Sequence, residues 1–184
     1  MVTDERIALI GLRGSGKTTL GRALAERLDY AFYDSDAEIE RIAGRSIRQI
    51  FAEQGEGAFR RMEESVIADL LQHRRAVLAL GGGAILSPAT RERLAAMARV
   101  LFLDARLDAL VRRIESDEAT PGQRPPLTGH TRLLDELNEL YAERSVLYRT
   151  VGDDRIDTTD KSVAALLDEV VCRLDEEARP SGAE

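Results

Sequence analysis

The chain has 184 residues, enough for one domain with a buried core, and its 43% hydrophobic and 32% charged residues exclude a disordered chain. Its net charge of −7 argues against general nucleic-acid binding, although a local basic pocket for a small anion remains compatible with it. No apolar run approaches the roughly 18 residues of a membrane helix. Residues 1–6 are polar and lead straight into a predicted strand, so no secretory leader is expected.

Short apolar runs predict five β-strands, at about 7–10, 31–33, 76–80, 100–103 and, more weakly, 155–157. Between them, apolar residues recur every three to four positions and predict helices. The helices are expected at 19–28, around 39–42 and 47–51 as two short pieces, at 58–72 after a break at 55–57, after Ser87-Pro88, around 107–114, at 133–148 and at 163–174. The alternation predicts an α/β fold, with helices covering both faces of a parallel sheet.

Individual side chains are placed by the same periodicity. Ile39 and Ile42 are expected to face inward from the helix that follows the second strand. Cys172, the only cysteine, follows Val171 on an apolar face and is expected to fill the core. A single cysteine excludes an internal disulfide, which fits a reducing cytoplasm.

The segment 116–131 lacks apolar periodicity and is rich in proline and glycine, so it is expected to be a long functional loop. The last residues, 179–184, are expected to form a flexible tail. No repeat or interdomain linker interrupts the chain, so residues 1–178 are interpreted as one domain.

The stretch from Gly11 to Thr18 matches the phosphate-loop pattern G-x-x-x-x-G-K-[ST] between a predicted strand and a predicted helix. Glycines let successive backbone N–H groups point at phosphate oxygens, and the helix N-terminus adds positive potential. Lys17 is expected to reach the β- and γ-phosphates, and the Thr18 hydroxyl is expected to hold Mg²⁺. A glycine turn that precedes Lys-Thr by chance is the alternative, but both flanks favour nucleotide binding. The expected ATP contacts in this stretch are Gly14, Ser15, Gly16, Lys17, Thr18 and Thr19.

Glycines and carboxylates follow the predicted strands, and the carboxyl ends of parallel strands meet at one edge of a sheet. Those ends carry the phosphate loop, Asp34-Ser35-Asp36, Gly81-Gly82-Gly83, Asp104 and the segment after Asp157. The sequence therefore predicts an active site along this edge.

Together these motifs resemble the shikimate kinase family over nearly the whole chain. The resemblance is carried by the phosphate loop, Asp34-x-Asp36, Gly44-Arg45-Ser46-Ile47, Phe59-Arg60-Arg61-x-Glu63, Gly81-Gly82-Gly83-Ala84, Arg124-Pro125 and Arg144-x-x-x-Tyr148. It implies ATP-dependent phosphorylation of the 3-hydroxyl of shikimate, with Mg²⁺, on the route to aromatic amino acids. The implied fold is a three-layer phosphate-loop sandwich of the nucleoside-monophosphate-kinase type, with a five-stranded parallel sheet and a mobile lid at about 116–131. We expect a monomer.

The resemblance assigns roles to two aspartates. Asp34 corresponds to the residue that holds the Mg²⁺ water shell, although Asp104 also ends a strand and stays an alternative, as does a helix cap at Asp104. Asp36 corresponds to the residue that orients the attacking substrate hydroxyl and accepts its proton, and a helix-capping role is its alternative.

The family's two substrate-carboxylate arginines correspond to Arg60 and Arg144, with Glu63 orienting Arg60. A planar guanidinium matches a carboxylate with two parallel hydrogen bonds. The alternative is that Arg60 and Arg144 lie on solvated helix faces, where most arginines are found. The glycines Gly81, Gly82 and Gly83 are expected to let the substrate ring approach the main chain and accept hydrogen bonds from its N–H groups.

The resemblance makes Arg124 a lid residue that stabilises the transferring phosphoryl group, and Arg113 a residue beside adenine. The expected catalytic residues are thus Lys17, Asp36 and Arg124. A simple loop arginine and a solvated helix end are the respective alternatives.

Three positions depart from the family pattern. Arg13 lies where an uncharged residue is more frequent, the lid is slightly longer, and Val163 replaces a proline that often opens the last helix. Two other functions are considered. The same pair of arginines could serve a kinase for another small hydroxy acid such as gluconate, and Arg13 motivates a sensor that binds ATP and a carboxylate without transfer. Sensors of this type occur fused to DNA-binding regulators, and no segment before Ile7 is long enough for such a motif.

Overall fold

The computed structural model describes residues 6–116 and 132–177. The strands are β1 (Arg6–Ile10), β2 (Ala31–Asp34), β3 (Ala76–Ala79), β4 (Arg99–Asp104) and β5 (Asp154–Asp157). The helices are α1 (Lys17–Leu28), α2 (Ser35–Ala43), α3 (Ile47–Leu70), α4 (Pro88–Met97), α5 (Leu107–Ser116), α6 (Leu133–Val151) and α7 (Val163–Glu177), with a 3₁₀ turn at Ala84–Leu86. The expected lid beyond Ser116, including Arg124, and the expected tail lie outside the described residues.

The strands form one parallel sheet in the order β2-β3-β1-β4-β5. In the middle of the sheet, Ala8 pairs with Leu78 of β3 on one side and with Val100 of β4 on the other. The predicted five-stranded parallel sheet is confirmed. Because β1 lies at the centre, the phosphate loop that follows it leaves the middle of the sheet edge.

Helices cover both faces of the sheet, which explains why the central strands β1, β3 and β4 are apolar except at Arg6, Arg99 and Asp104, which lie at strand ends. Along β1, Ala8 and Ile10 join the core shared with α2 to α6, whereas Ile7 and Leu9 join the core shared with α1 and α7. This alternation follows from the two-residue period of a strand. It produces the predicted three layers.

The helix α3 runs from Ile47 to Leu70 and contains the predicted break. Gly55, with φ 77° and ψ 172°, is not helical, so two helical segments meet at a kink at this residue. Gly57, expected to take part in the break, is helical. A capping box at the N-terminus, in which Ser46 and Gln49 exchange hydrogen bonds, fixes where the helix begins.

Two residues, Ile42 and Cys172, were predicted to lie in the core, and both predictions are wrong. The side chain of Ile42 is 58% exposed, because α2 packs through Ile39 and Ala43, one full turn apart. Cys172 is exposed because α7 packs through Leu166, Val170 and Leu174, and residue 172 lies on the opposite side of the helix. In the part of the chain that the structure describes, none of the helices has the length and apolar character that crossing a membrane requires.

Candidate active site

The phosphate loop joins β1 to α1 through three glycines with positive φ: Gly11, Gly14 and Gly16. A Cβ at Gly11 would overlap the carbonyl oxygen of Leu103, so the close approach to β4 requires glycine. Gly16 opens α1 with φ 92°, no side chain caps the helix, and its first turn carries no acidic residue. The N–H groups at this helix end are thus suited to an anion.

Lys17 lies over the loop. Its ammonium donates hydrogen bonds to the carbonyl oxygens of Gly11 and Leu12, each at 2.9 Å. The loop therefore presents a cation and a helix N-terminus on the same side, which is the arrangement that binds the β- and γ-phosphates in nucleotide sites.

A hydroxyl and a carboxylate meet beside the loop. The Thr18 hydroxyl donates to Asp34 Oδ2 at 2.8 Å. The other carboxylate oxygen of Asp34 accepts from the main-chain N–H groups of Asp36, at 3.0 Å, and Ala37, so Asp34 is the cap of α2. The alternative that Asp36 caps this helix is wrong, since Asp36 lies inside the first turn.

Asp104, the alternative metal residue, is buried and already hydrogen-bonded. Its Oδ2 accepts from the hydroxyl of Tyr141 at 3.1 Å and from Nε of Arg155 at 2.9 Å. Its Oδ1 accepts from the N–H of Ala105. These contacts join β4 to α6 and β5, which favours a structural role for Asp104 and leaves Asp34 as the stronger metal candidate.

Arg60 lies between two glutamates on α3. Its Nη1 donates to Oε2 of Glu63 at 2.7 Å, as the sequence predicts, while its Nε and Nη2 donate to Oε1 of Glu56 at 3.2 and 3.0 Å. Burial disfavours the charged guanidinium, but the negative charges and hydrogen bonds of Glu63 and Glu56 outweigh burial and raise the pKa of Arg60. Arg60 is therefore a fixed, permanently charged cation.

The glycine triplet after β3 brings the two predicted substrate arginines together. A Cβ at Gly83 would lie only 2.7 Å from Cζ of Arg60, so the guanidinium occupies the space that any side chain would need. The carbonyl oxygen of Gly82 accepts from the hydroxyl of Tyr148 at 2.5 Å and from Nη1 of Arg144 at 3.4 Å. Arg60 and Arg144 thus contact consecutive residues of one segment.

This segment is also joined to β2. The N–H of Gly81 donates to the hydroxyl of Ser35 at 2.9 Å, and Ser35 is completely buried between Asp34 and Asp36. Since Asp34 in turn contacts Thr18 of the phosphate loop, the structure places the loop, both aspartates and the glycines along one edge of the sheet. The triplet was expected to donate N–H groups to a substrate, but the N–H of Gly81 is already used.

Arg113 contacts the phosphate loop from α5. Its Nη1 donates to the carbonyl oxygen of Gly14 at 3.3 Å and to the hydroxyl of Thr158 at 3.1 Å, and its Nη2 donates to the carbonyl oxygens of Thr158 and Thr159. Thr158 is buried, and its hydroxyl donates to the carbonyl oxygen of Ser15 at 3.2 Å. This network fixes the loop to the segment after β5, next to the place predicted for adenine.

Sequence reasoning missed three contributors. Ser35 was marked only by its position between two aspartates, and Tyr148 only by its place in the resemblance. No local sequence pattern marks Thr158, because its role depends on a hydrogen bond to a loop more than a hundred residues away in the sequence.

Comparisons with known proteins agree with this geometry. A family model described as shikimate kinase matches residues 13–175. The shikimate kinase of Thiobacillus denitrificans is 44% identical over 176 residues, which cover 95% of this chain and 93% of that protein. The shikimate kinase of Syntrophus aciditrophicus is 40% identical over 178 residues, which cover 93% of this chain and 91% of that protein.

Solved structures give the same result. The structure of shikimate kinase from Acinetobacter baumannii in complex with shikimate superposes with a TM-score of 0.88 and 35% sequence identity, covering 95% of both chains. The family match, the relatives and the arrangement of the sheet edge agree, and the chain belongs to the shikimate kinase family.

Proposed function

We propose that this chain transfers the γ-phosphoryl group of ATP to the 3-hydroxyl of shikimate and releases shikimate 3-phosphate and ADP. The observation that carries the proposal is the convergence of Arg60 and Arg144 on Gly82 and Gly83, at the edge of the sheet that also holds the phosphate loop. A site with an anion-binding loop and a pair of arginines accepts a triphosphate and a small carboxylate side by side.

The acceptor is held through its carboxylate. Arg60 is oriented by Glu63 and Glu56, and the side chain of Arg144 is buried while its Nε contacts Glu143. Both guanidinium groups are therefore pre-arranged, which lowers the entropy lost when a carboxylate binds. The related protein from Acinetobacter baumannii has been solved in complex with shikimate, which supports shikimate as the acceptor here.

Thr18 and Asp34 fit a Mg²⁺ site. Their hydroxyl and carboxylate oxygens lie 2.8 Å apart beside the phosphate loop, and Mg²⁺ prefers such oxygen donors together with water and substrate phosphates. When bound, Mg²⁺ neutralises charge on the β- and γ-phosphates. Asp34 holds its orientation because its second oxygen is fixed by the first turn of α2.

The chain's own groups account for the transfer. Lys17 and the N-terminus of α1 hold the phosphate oxygens, so that charge shifting toward the β-phosphate is stabilised. Asp36 holds the 3-hydroxyl and accepts its proton while the hydroxyl oxygen bonds to the γ-phosphorus and the bond to the β,γ-bridging oxygen breaks. Arg124, outside the described residues, is assigned to the lid, where it contacts the transferring group and helps exclude water.

Measurement of ADP release with ATP, Mg²⁺ and shikimate tests the proposal. Shikimate-dependent turnover is expected, and its absence would reject the function. Gluconate and other small hydroxy acids are then offered in place of shikimate, and ADP release with one of them would support the alternative acceptor. A sensor without transfer predicts binding of both ligands and no ADP. We also infer that the enzyme acts as a monomer, which light scattering at the assay concentration checks.

A further inference from the structure

One face of α6 contacts the active-site edge at three levels. Glu136, Leu140, Arg144 and Tyr148 follow one another at four-residue spacing, and all four are buried. Arg144 and Tyr148 contact the carbonyl oxygen of Gly82, as described above. Residues at this spacing lie above one another on a helix, so Glu136 points from the same face, two turns before Arg144.

Glu136 pairs with the phosphate loop. Its Oε2 accepts a hydrogen bond from Nη2 of Arg13 at 2.9 Å, and its side chain is only 6% exposed, against 30% for Arg13. A carboxylate buried to this degree needs a cationic partner, and removal of one member of such a pair is strongly destabilising locally. The pair is therefore a firm contact between the loop and the beginning of α6.

The main chain of Arg13 is close to the acceptor segment as well. A Cβ at Gly82 would lie 3.9 Å from the main-chain nitrogen of Arg13 and 3.5 Å from the hydroxyl of Tyr148. The loop, Gly82 and α6 thus contact one another in pairs, and α6 is the element that carries Arg144.

We propose that Arg13 is a positioning residue for the acceptor rather than for the nucleotide. Through Glu136 it fixes the angle and register of α6 against the phosphate loop, and α6 in turn places Arg144 for the shikimate carboxylate. The inference rests on the proposed function, because it assigns the effect of Arg13 to the acceptor of that reaction. It gives a role to the one charged residue that departs from the usual phosphate-loop sequence.

The guanidinium of Arg13 donates a hydrogen bond to Glu136, whereas the loop groups assigned to the phosphates are Lys17 and the backbone of residues 14–18. Loss of Arg13 should therefore change the acceptor more than ATP. Replacing Arg13 by lysine keeps a cation for Glu136, whereas replacing it by methionine keeps length without charge.

The test compares the wild type with Arg13→Met, Glu136→Gln, the double variant and Arg13→Lys. Arg112→Met is the matched control, because Arg112 forms an exposed ion pair with Asp108 on α5. Arg13→Met is expected to raise the KM for shikimate about 10-fold and to change the KM for ATP less than about 2-fold. Glu136→Gln should act in the same direction, the double variant should resemble the single variants, and Arg13→Lys should recover most of the loss. Arg112→Met should match the wild type.

Hydrogen exchange of α6 and calorimetric ADP binding complete the test without turnover. In Arg13→Met, amides in the first turns of α6 should exchange faster while ADP affinity is retained, which also shows that the variant folds.

The inference is overturned if the KM for ATP rises and that for shikimate does not, if the effects of Arg13→Met and Glu136→Gln add independently, or if nothing changes. If Arg13→Met fails to bind ADP, Glu136→Gln and Arg13→Lys decide by the same criteria. A wild type without shikimate turnover rejects the proposed function and this inference with it, whereas an active wild type with an unaffected variant rejects the inference alone.

Discussion

The nucleotide side and the acceptor side of the site are built in different ways. The nucleotide side is a contiguous loop whose shape is set by backbone conformation, with positive φ at Gly11, Gly14 and Gly16. The acceptor side is assembled from α3, the segment after β3 and α6, which meet only in the folded chain. Local sequence therefore encodes the first, and tertiary packing encodes the second.

The two sides also carry charge differently. The phosphate loop uses Lys17 and backbone N–H groups, and the ammonium of Lys17 donates to the carbonyl oxygens of Gly11 and Leu12 in the same loop. The acceptor arginines are held by glutamates, so each cation is oriented by a carboxylate. Substitution of Lys17 should therefore affect kcat, whereas substitution of Arg60, Arg144 or a residue that positions them should affect the KM for shikimate.

The sharpest test of the nucleotide side is Lys17→Met. The loss of the ammonium should lower kcat about 10³-fold, because a preorganised donor no longer stabilises the shifting phosphate charge. Lys161→Met is the matched control, since Lys161 is the other lysine of the chain and forms an exposed ion pair with Glu169. Steady-state kinetics decides, and a fall of similar size in the control would refute the assignment.

Asp36→Asn tests the group between the two sides. It should lower kcat about 10²-fold or more, because the amide cannot accept the proton of the 3-hydroxyl, while ADP affinity measured by calorimetry stays the same. Asp29→Asn, on a fully exposed side chain, provides the control. Near-normal turnover of Asp36→Asn would remove Asp36 from the mechanism.

Gly83→Ala tests the acceptor side alone. The added methyl group would displace the guanidinium of Arg60, so we expect the KM for shikimate to rise about 10-fold with little change for ATP. Gly57→Ala is matched to it, because a Cβ there meets only Arg61, at 3.6 Å. Equal KM values for shikimate in the two variants would contradict the packing argument.

Thr158→Val tests the support of the phosphate loop rather than its chemistry. The variant leaves the carbonyl oxygen of Ser15 without this bond, and the free energy of unfolding should fall by about 1–2 kcal/mol. Urea denaturation measures the change. Thr150→Val, which removes an exposed hydroxyl that bonds within α6, should have a much smaller effect; a comparable loss there would argue against a special role for Thr158.

The smallest expected effect is a pH dependence at the end of β5. Hydrogen bonds from the hydroxyl and the main-chain N–H of Thr159 hold the pKa of Asp157 below its ordinary value. The folded pKa lies below the unfolded one, so the resulting stability is present above about pH 4 and is lost as the pH falls through the folded pKa. Asp157→Asn should therefore lose less stability than the wild type between about pH 5 and about pH 2.5. Denaturation at both pH values checks this, with the exposed Asp175→Asn expected to follow the wild type.

Prediction from sequence succeeded where the signal is local. The strand, glycine loop and helix around Lys17 form one contiguous pattern, and the apolar central strands indicate a sheet covered on both faces. It was wrong at Ile42, because helical periodicity indicates a sector of the helix and not which edge of that sector the neighbouring elements cover. It was also wrong at Cys172, which follows the apolar Val171 in sequence but lies opposite the packed face of α7. The cap that was considered as the alternative role of Asp36 belongs to Asp34, since either of two carboxylates near one helix end could accept from the same N–H groups.

The remaining contacts depend on meetings between distant segments. The resemblance named Arg60 and Arg144, but residue type alone did not separate them from the other arginines. The close approach of Gly83 to Arg60 and the pair formed by Arg13 and Glu136 each arise only when two distant segments pack together. No local pattern carries that information.

The fit between Gly83 and Arg60 constrains how this site can evolve. A side chain at position 83 is harmful while the arginine is present, and becomes tolerable only after the arginine has been replaced by something smaller. The two positions are therefore epistatic, and the order of their substitutions matters. A lineage, or a directed-evolution library, that explores acceptors without a carboxylate is expected to alter position 60 before position 83, and libraries that vary both codons together should reach such variants faster than stepwise ones.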